Sequence, residues 1–183
     1  MTTGREPIRI GRQPPFAVPP ERREPARRLR GRLVAPVTIW TAGNPTTGAG
    51  LTVSSVLVAE GQPPRLLGLI DPTSAFWEAM HETGGFVVHV LAAVDQALAE
   101  RFSEIRPSVR GQFDRLDVVE SPWGPVLAGN RPRAACRLAG STPAGHAELV
   151  QGVIEELELH DLEDPLAYLH GSYRSVRDLG DQG

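Results

Sequence analysis

The chain has 183 residues and is 40% hydrophobic, enough for one continuous core, which argues against wholesale disorder. It holds no apolar run near the ~20 residues of a membrane helix, and its one cysteine, Cys136, excludes an internal disulfide framework and a Cys-x-x-Cys zinc site. The net charge of −3 hides an asymmetry: residues 1–32 carry nine arginines against three glutamates, and the rest carries ten arginines against nineteen acids. With no apolar stretch behind the basic N-terminus, a secretory signal is not expected, and the expected location is cytoplasmic.

Residues 1–30 read as a basic, Pro- and Arg-rich arm, partly disordered. Pro14-Pro15 and Pro19-Pro20 forbid regular helix over residues 1–20. A short helix is predicted from Glu21 to about Gly31, where glycine stops it. The arm is either a mobile tail, a wrap around a partner subunit, or a site for nucleic acid or anionic lipid. The acidic body argues against the last, so neither nucleic acid nor membrane is expected as a partner.

From Leu33 the pattern changes to short β-rich runs between turn residues. Val34–Thr41 reads as a strand, Gly43-Asn44-Pro45 as a turn, and Gly50–Ala59 as a second strand. Pro64–Ile70 is apolar enough to predict a third strand buried on both faces. Asp71-Pro72-Thr73-Ser74 is a helix start, with Phe76, Ala79 and Met80 on one face and Gly84-Gly85 as the stop. Phe86–Leu91 is a strand, and Asp95 is placed to cap a helix carrying Leu98 and Phe102. Residues 103–113 read as polar and irregular, or as a short helical turn. Weaker strands are predicted at Leu116–Glu120, Ala134–Leu138, Glu148–Glu158 and within Tyr168–Val176. The domain is taken as 31–177, with 178–183 a frayed tail. Roughly seven strands and two or three helices without regular alternation predict a mainly β fold, a barrel with helices packed outside.

Two stretches carry candidate chemistry. Gly48-Ala49-Gly50 precedes Leu51-Thr52-Val53-Ser54-Ser55, where close backbone approach, hydroxyls and free edge amides suit the rim of a flat heterocycle. The same residues also make an ordinary strand. Thr73 and Ser74 stand at a helix N-terminus, which suits a phosphate and equally suits simple capping. His89 in its apolar strand reads as a core histidine, and Cys136, which follows Ala134-Ala135 in a predicted strand, reads as buried. No histidine has metal-ligand spacing, so no metal site is expected.

The order of these pieces resembles the flavin reductase-like family. The resemblance rests on Val37-Thr38-Ile39-Trp40-Thr41, Gly50 to Ser55, Pro63-Pro64, Asp71-Pro72-Thr73-Ser74, Gly85 to Leu91, Arg101-Phe102-Ser103 and Pro165 to Tyr173. It implies an FMN-binding split β-barrel with peripheral helices, usually a homodimer. It implies reduction of FMN or FAD by NADH or NADPH, with reduced flavin passed to a monooxygenase partner. By this likeness Leu51, Thr52, Val53, Ser54 and Ser55 meet the flavin ring, largely through backbone groups, and Asp71, Thr73 and Ser74 lie by the phosphate and ribityl chain. The family often carries Gly-Asp-His before its late strand; here Gly145-His146-Ala147 puts Ala147 at the His position. A one-residue shift puts His146 there instead, making it the candidate catalytic residue. An altered motif also suits a non-catalytic FMN-binding flavoprotein, a carrier, sensor or electron relay. A third reading is a barrel that has lost its flavin and uses the arm to bind a partner.

Overall fold

The computed structural model describes residues 20–103 and 112–180, with side chains over 25–103 and 112–178. The arm before residue 20, most of the stretch expected to be irregular at 103–113, and the end of the tail lie outside the described residues. The elements, in chain order, are α1 (Pro20–Arg30), β1 (Ala35–Pro36), β2 (Thr38–Ala42), β3 (Ala49–Val53), β4 (Leu57–Ala59), β5 (Arg65–Ile70), α2 (Ala75–Thr83) and β6 (Gly85–Val90). A 3-10 turn at Ala93–Asp95 leads into α3 (Gln96–Arg101). Then come β7 (Val118–Val119), β8 (Val126–Leu127), β9 (Arg133–Ala144), β10 (Ala147–Glu158), β11 (Leu166–Leu169), β12 (Ser172–Ser175) and α4 (Val176–Gly180). The fold is mainly β.

Seven strands form one antiparallel sheet in the order β3-β2-β6-β9-β10-β5-β4. Its two edge strands, β3 and β4, are separated in sequence only by Ser54, Ser55 and Val56. Four Cα–Cα steps span at most ~15 Å. Six strand spacings in a flat sheet would put the edges roughly 29 Å apart. The sheet is therefore coiled until its edges approach, yet no ladder joins β3 to β4, and no closed barrel forms. The expected single strand Gly50–Ala59 is thus corrected to two strands on opposite edges. The reason is the break at Ser54–Val56, where the Ser55 hydroxyl takes the place of a ladder partner. Its Oγ donates to the Leu69 carbonyl (3.2 Å) and accepts from the Leu69 amide (2.9 Å).

Trp40 and Phe86 stack at 4.8 Å and 5° inside the coiled sheet, and Phe76 of α2 meets both rings edge-on. Two strands can pass so close to these rings only as glycine. A Cβ at Gly68 would lie 2.7 Å from the Trp40 ring, and one at Gly152 would lie 2.4 Å from the Phe86 ring. The buried positions of α2 are the predicted Phe76, Ala79 and Met80, and Gly84 ends the helix in the left-handed region. A second core of Val37, Ile39, Leu91, Phe102, Phe113, Leu127 and Leu166 lies beneath α3 and the smaller sheet β1-β11-β12.

Other expectations are corrected. Val34–Thr41 divides between two sheets, because Val37 bonds Leu166 and Leu91 where the chain crosses. β5 is not buried on both faces: Arg65 and Leu69 are exposed, since no layer among the described residues covers that side. Asp95 does not cap α3 through its side chain; its carboxylate accepts from the Ala92 amide and pairs with Arg131 at 2.7 Å. Leu116–Glu120 shrinks to a two-residue strand, and Ala134–Leu138 grows into half of a long hairpin with β10. The single late strand is a hairpin, and the tail expected to fray from Asp178 is helical to Gly180, stapled by Asp164 through Ser175 and Arg177. The described residues contain no helix long and apolar enough to cross a membrane.

Candidate functional site

β3 was expected to offer free edge amides. The structure corrects this at Gly50 and Thr52: the Gly50 amide donates to Gln112 Oε1 (2.8 Å), and the Thr52 amide donates to the Phe102 carbonyl (2.7 Å). The Thr52 hydroxyl is also committed, donating to the Ala99 carbonyl at 2.7 Å. Leu51 and Val53 face Trp40 and Thr38 in the ladder with β2, and the Val53 carbonyl further accepts the Thr38 hydroxyl at 2.7 Å. This edge is sealed by α3 and the segment after it. The amide and the hydroxyl proton of Thr52 are therefore both committed within the chain.

The seal ends at Ser54. Among the described residues, the Ser54 hydroxyl and the amides of Ser54, Ser55 and Val56 have no hydrogen-bond partner, and all three residues are half-buried. The Ser55–Leu69 bonds hold this break against the end of β5. Asp71 to Ser74 continue directly from β5 into α2. Ser74 is fully buried and caps α2, its Oγ donating to the Asp71 carbonyl (2.7 Å) and accepting from the Trp77 amide (3.2 Å). Asp71 Oδ1 accepts from both the amide (2.8 Å) and the hydroxyl (2.7 Å) of Thr73. The capping reading of these hydroxyls is thus the observed one. Capping leaves the Ala75 and Phe76 amides without partners among the described residues, at the positive end of a nine-residue helix.

A third piece arrives by register. Glu148 faces Ile70 across β10 and β5, so Ala147 and the exposed His146 at the hairpin tip lie beside Asp71. The break at 54–56, the start of α2 and the tip at 145–147 thus converge at one end of the sheet. Sequence reading missed Gln112 and Trp77. Gln112 seals β3 from 62 residues away. Trp77, on the first turn of α2, packs its ring 3.9 Å from that of His81. Only the aromatic at a helix start was a visible signal, and only for Trp77.

His89 lies outside this cluster and is a core residue, as expected. Leu127 donates its amide to Nε2 at 3.2 Å, so Nδ1 carries the proton and donates to the Ile39 carbonyl at 3.2 Å. Burial lowers its pKa to about 4, helped by the charges of Arg131 and Arg133 and opposed by the bond to Ile39. Cys136 is buried too, which pushes its thiol up to about 12 and leaves it unreactive. Among the described residues no cluster of His, Cys, Asp or Glu could hold a metal ion.

A coiled antiparallel sheet whose two edges approach at a polar break, beside a capped helix start, makes this a small, mainly β protein with unpartnered donors, among the described residues, gathered at one end of its sheet. The family model of the flavin reductase like domain matches residues 30–177, and the chain belongs to that family. It is 31% identical over 155 residues to an NADH-dependent FMN reductase of Streptomyces nodosus subsp. asukaensis, covering 83% of this chain and 84% of that one. It is 30% identical over 151 residues to the reductase subunit of a flavin-dependent monooxygenase of Rhodococcus jostii (strain RHA1), covering 82% and 76%. Among solved structures, the flavin reductase component of a bacterial two-component tryptophan halogenase superposes with a TM-score of 0.72 at 29% identity, over 82% of this chain and 97% of that one.

Proposed function

We propose that this protein is an NAD(P)H-dependent flavin reductase built on a split β-barrel, working as the reductase component of a two-component flavin-dependent monooxygenase. The observation that carries the reading is the convergence of the Ser54–Val56 break with the start of α2, in a chain whose relatives are named NADH-dependent FMN reductase and monooxygenase reductase subunit. FMN or FAD is the flavin and NADH or NADPH the hydride donor. The protein acts as a cytoplasmic homodimer.

The residues present fit a flavin. Ser54 and the amides of 54–56 offer donors to the polar edge of its ring. The unpartnered amides of Ala75 and Phe76 suit its phosphate, with Thr73 at the mouth and Asp71 holding Thr73 in place. Leu51, Thr52 and Val53 back this site as a rigid wall, and Ser55 and Ser74 fix its two halves by their hydrogen bonds. When bound, the flavin itself accepts the hydride, so the chain must position it and exclude water, and no acid or base at Ala147 is required. His146 is our candidate for the nicotinamide side, because the β5–β10 register puts the tip beside Asp71.

The test is oxidation of NADH and of NADPH by the purified protein, with and without added FMN or FAD. The expected result is flavin-dependent turnover well above a protein-free control. Absence of turnover in protein whose visible spectrum shows bound FMN overturns the reductase and leaves the non-catalytic flavoprotein.

A further inference from the structure

We propose that the basic, apolar ridge at the end of α1 docks into a groove beside β7 and β8 on a second copy of this chain. The proposal rests on the homodimer reading above and gives it a contact. The ridge bears Arg27, Arg28 and Arg30 together with Leu29, Leu33 and Val34, which are 64%, 61% and 59% exposed. Three large apolar side chains left open within six residues mark a surface that something covers. Among the described residues no ion pair reaches these arginines.

The groove has the opposite character. It is a cavity of about 440 Å³ between the β7–β8 hairpin and the outer face of β6, β9 and β10. Val119 and Leu157, 62% and 56% exposed, form its apolar walls. Glu120, Glu156 and Glu158 stand around it against one cation, Arg133, which is already paired with Glu158 at 2.5 Å. The groove is thus acidic and apolar where the ridge is basic and apolar. The same imbalance runs through the whole chain, with arginine excess confined to residues 1–32 and acid excess to the remainder.

The occupant comes from another molecule. Among the described residues both surfaces are open in one chain, so the ridge does not cover its own groove. The ridge is instead tied to the β11–β12 turn, where the His170 amide donates to the Gly31 carbonyl at 2.8 Å. A second copy carries both complementary surfaces, and a twofold pair makes the contact twice.

The test uses the full chain. Leu29→Cys and Leu157→Cys proteins are mixed and treated with a short bismaleimide; the buried Cys136 contributes little background. The expected result is a cross-linked dimer in the mixture at least fivefold above either variant alone, weakening in 1 M salt. Light scattering of Arg27→Glu/Arg28→Glu/Arg30→Glu should show self-association at least tenfold weaker than the unmodified chain, recovered by adding Glu120→Arg and Glu156→Arg. A dimer that gives no mixed cross-link, that cross-links Leu29→Cys to itself, or that survives the triple substitution unchanged overturns the ridge–groove contact alone. A monomeric unmodified chain overturns the homodimer reading with it, and flavin reduction measured on the same samples reports separately on the proposed activity.

Discussion

The two edges of the seven-stranded sheet are treated in opposite ways. Along β3 the outward amides are satisfied from within the chain by Gln112 and Phe102, and the ring of Phe102 lies so close that a Cβ at Gly50 would meet it at 2.5 Å. Along β4 and β5, Leu57, Val58 and Leu69 stay 67%, 65% and 43% exposed. An edge closed from inside is part of the fold, whereas an open, apolar edge invites a partner. The break between them, Ser54–Val56, is where the sealed edge gives way to free donors. The contrast sets a sealed edge, a polar break with free donors among the described residues, and an exposed apolar edge side by side.

The comparison can be broken at its foundation. Both edges hang from the strands around Trp40 and Phe86, and Gly152→Val drives a side chain into the Phe86 ring. We expect loss of folded protein, or destabilisation of about 1–3 kcal/mol in a urea titration. A normally folding variant would refute the close-packed account of the scaffold.

His89 ties β2 to the segment bearing β8 on the sealed side. Its folded pKa, about 4, lies below the unfolded value of 6.5, so its contribution is complete above pH 6.5 and is lost as pH falls toward 4. The sum is on the order of 3 kcal/mol. Urea midpoints between those pH values should fall steeply, and His89→Gln should flatten the slope.

Opening the sealed edge sharpens the contrast directly. Gln112→Ala leaves the Gly50 amide unpaired and should cost ~1–3 kcal/mol while flavin affinity stays unchanged. Ser54→Val should do the reverse: thermal stability holds and flavin binding, read by fluorescence titration, weakens roughly fivefold, the worth of about one hydrogen bond of ~1 kcal/mol. If Gln112→Ala weakens flavin binding more than Ser54→Val, the seam is not the binding site.

Much of this was legible in the residues. Asp71 to Ser74 announced a capped helix, Phe76, Ala79 and Met80 announced its buried face, and His89 and Cys136 announced core positions. These features are local: a cap needs a hydroxyl three residues from an amide, and a buried face needs side chains a turn apart. The break inside Gly50–Ala59 was not legible, because Thr, Val and Leu run through it with strand propensity on both sides.

The sequence by itself determined a mainly β chain, the positions of its chief turns and the start and stop of α2, since all of these follow from neighbours within a few residues. It also carried the order of motifs that placed the chain in its family. Only the tertiary structure decided which hydroxyls and amides remain free. Thr52 is taken by Ala99, 47 residues away, and Gly50 by Gln112, while Ser54, two residues further on, is left open. Those partners are chosen by how far the sheet coils, and coiling is set by the glycines that let Trp40 and Phe86 lie against strands distant in sequence.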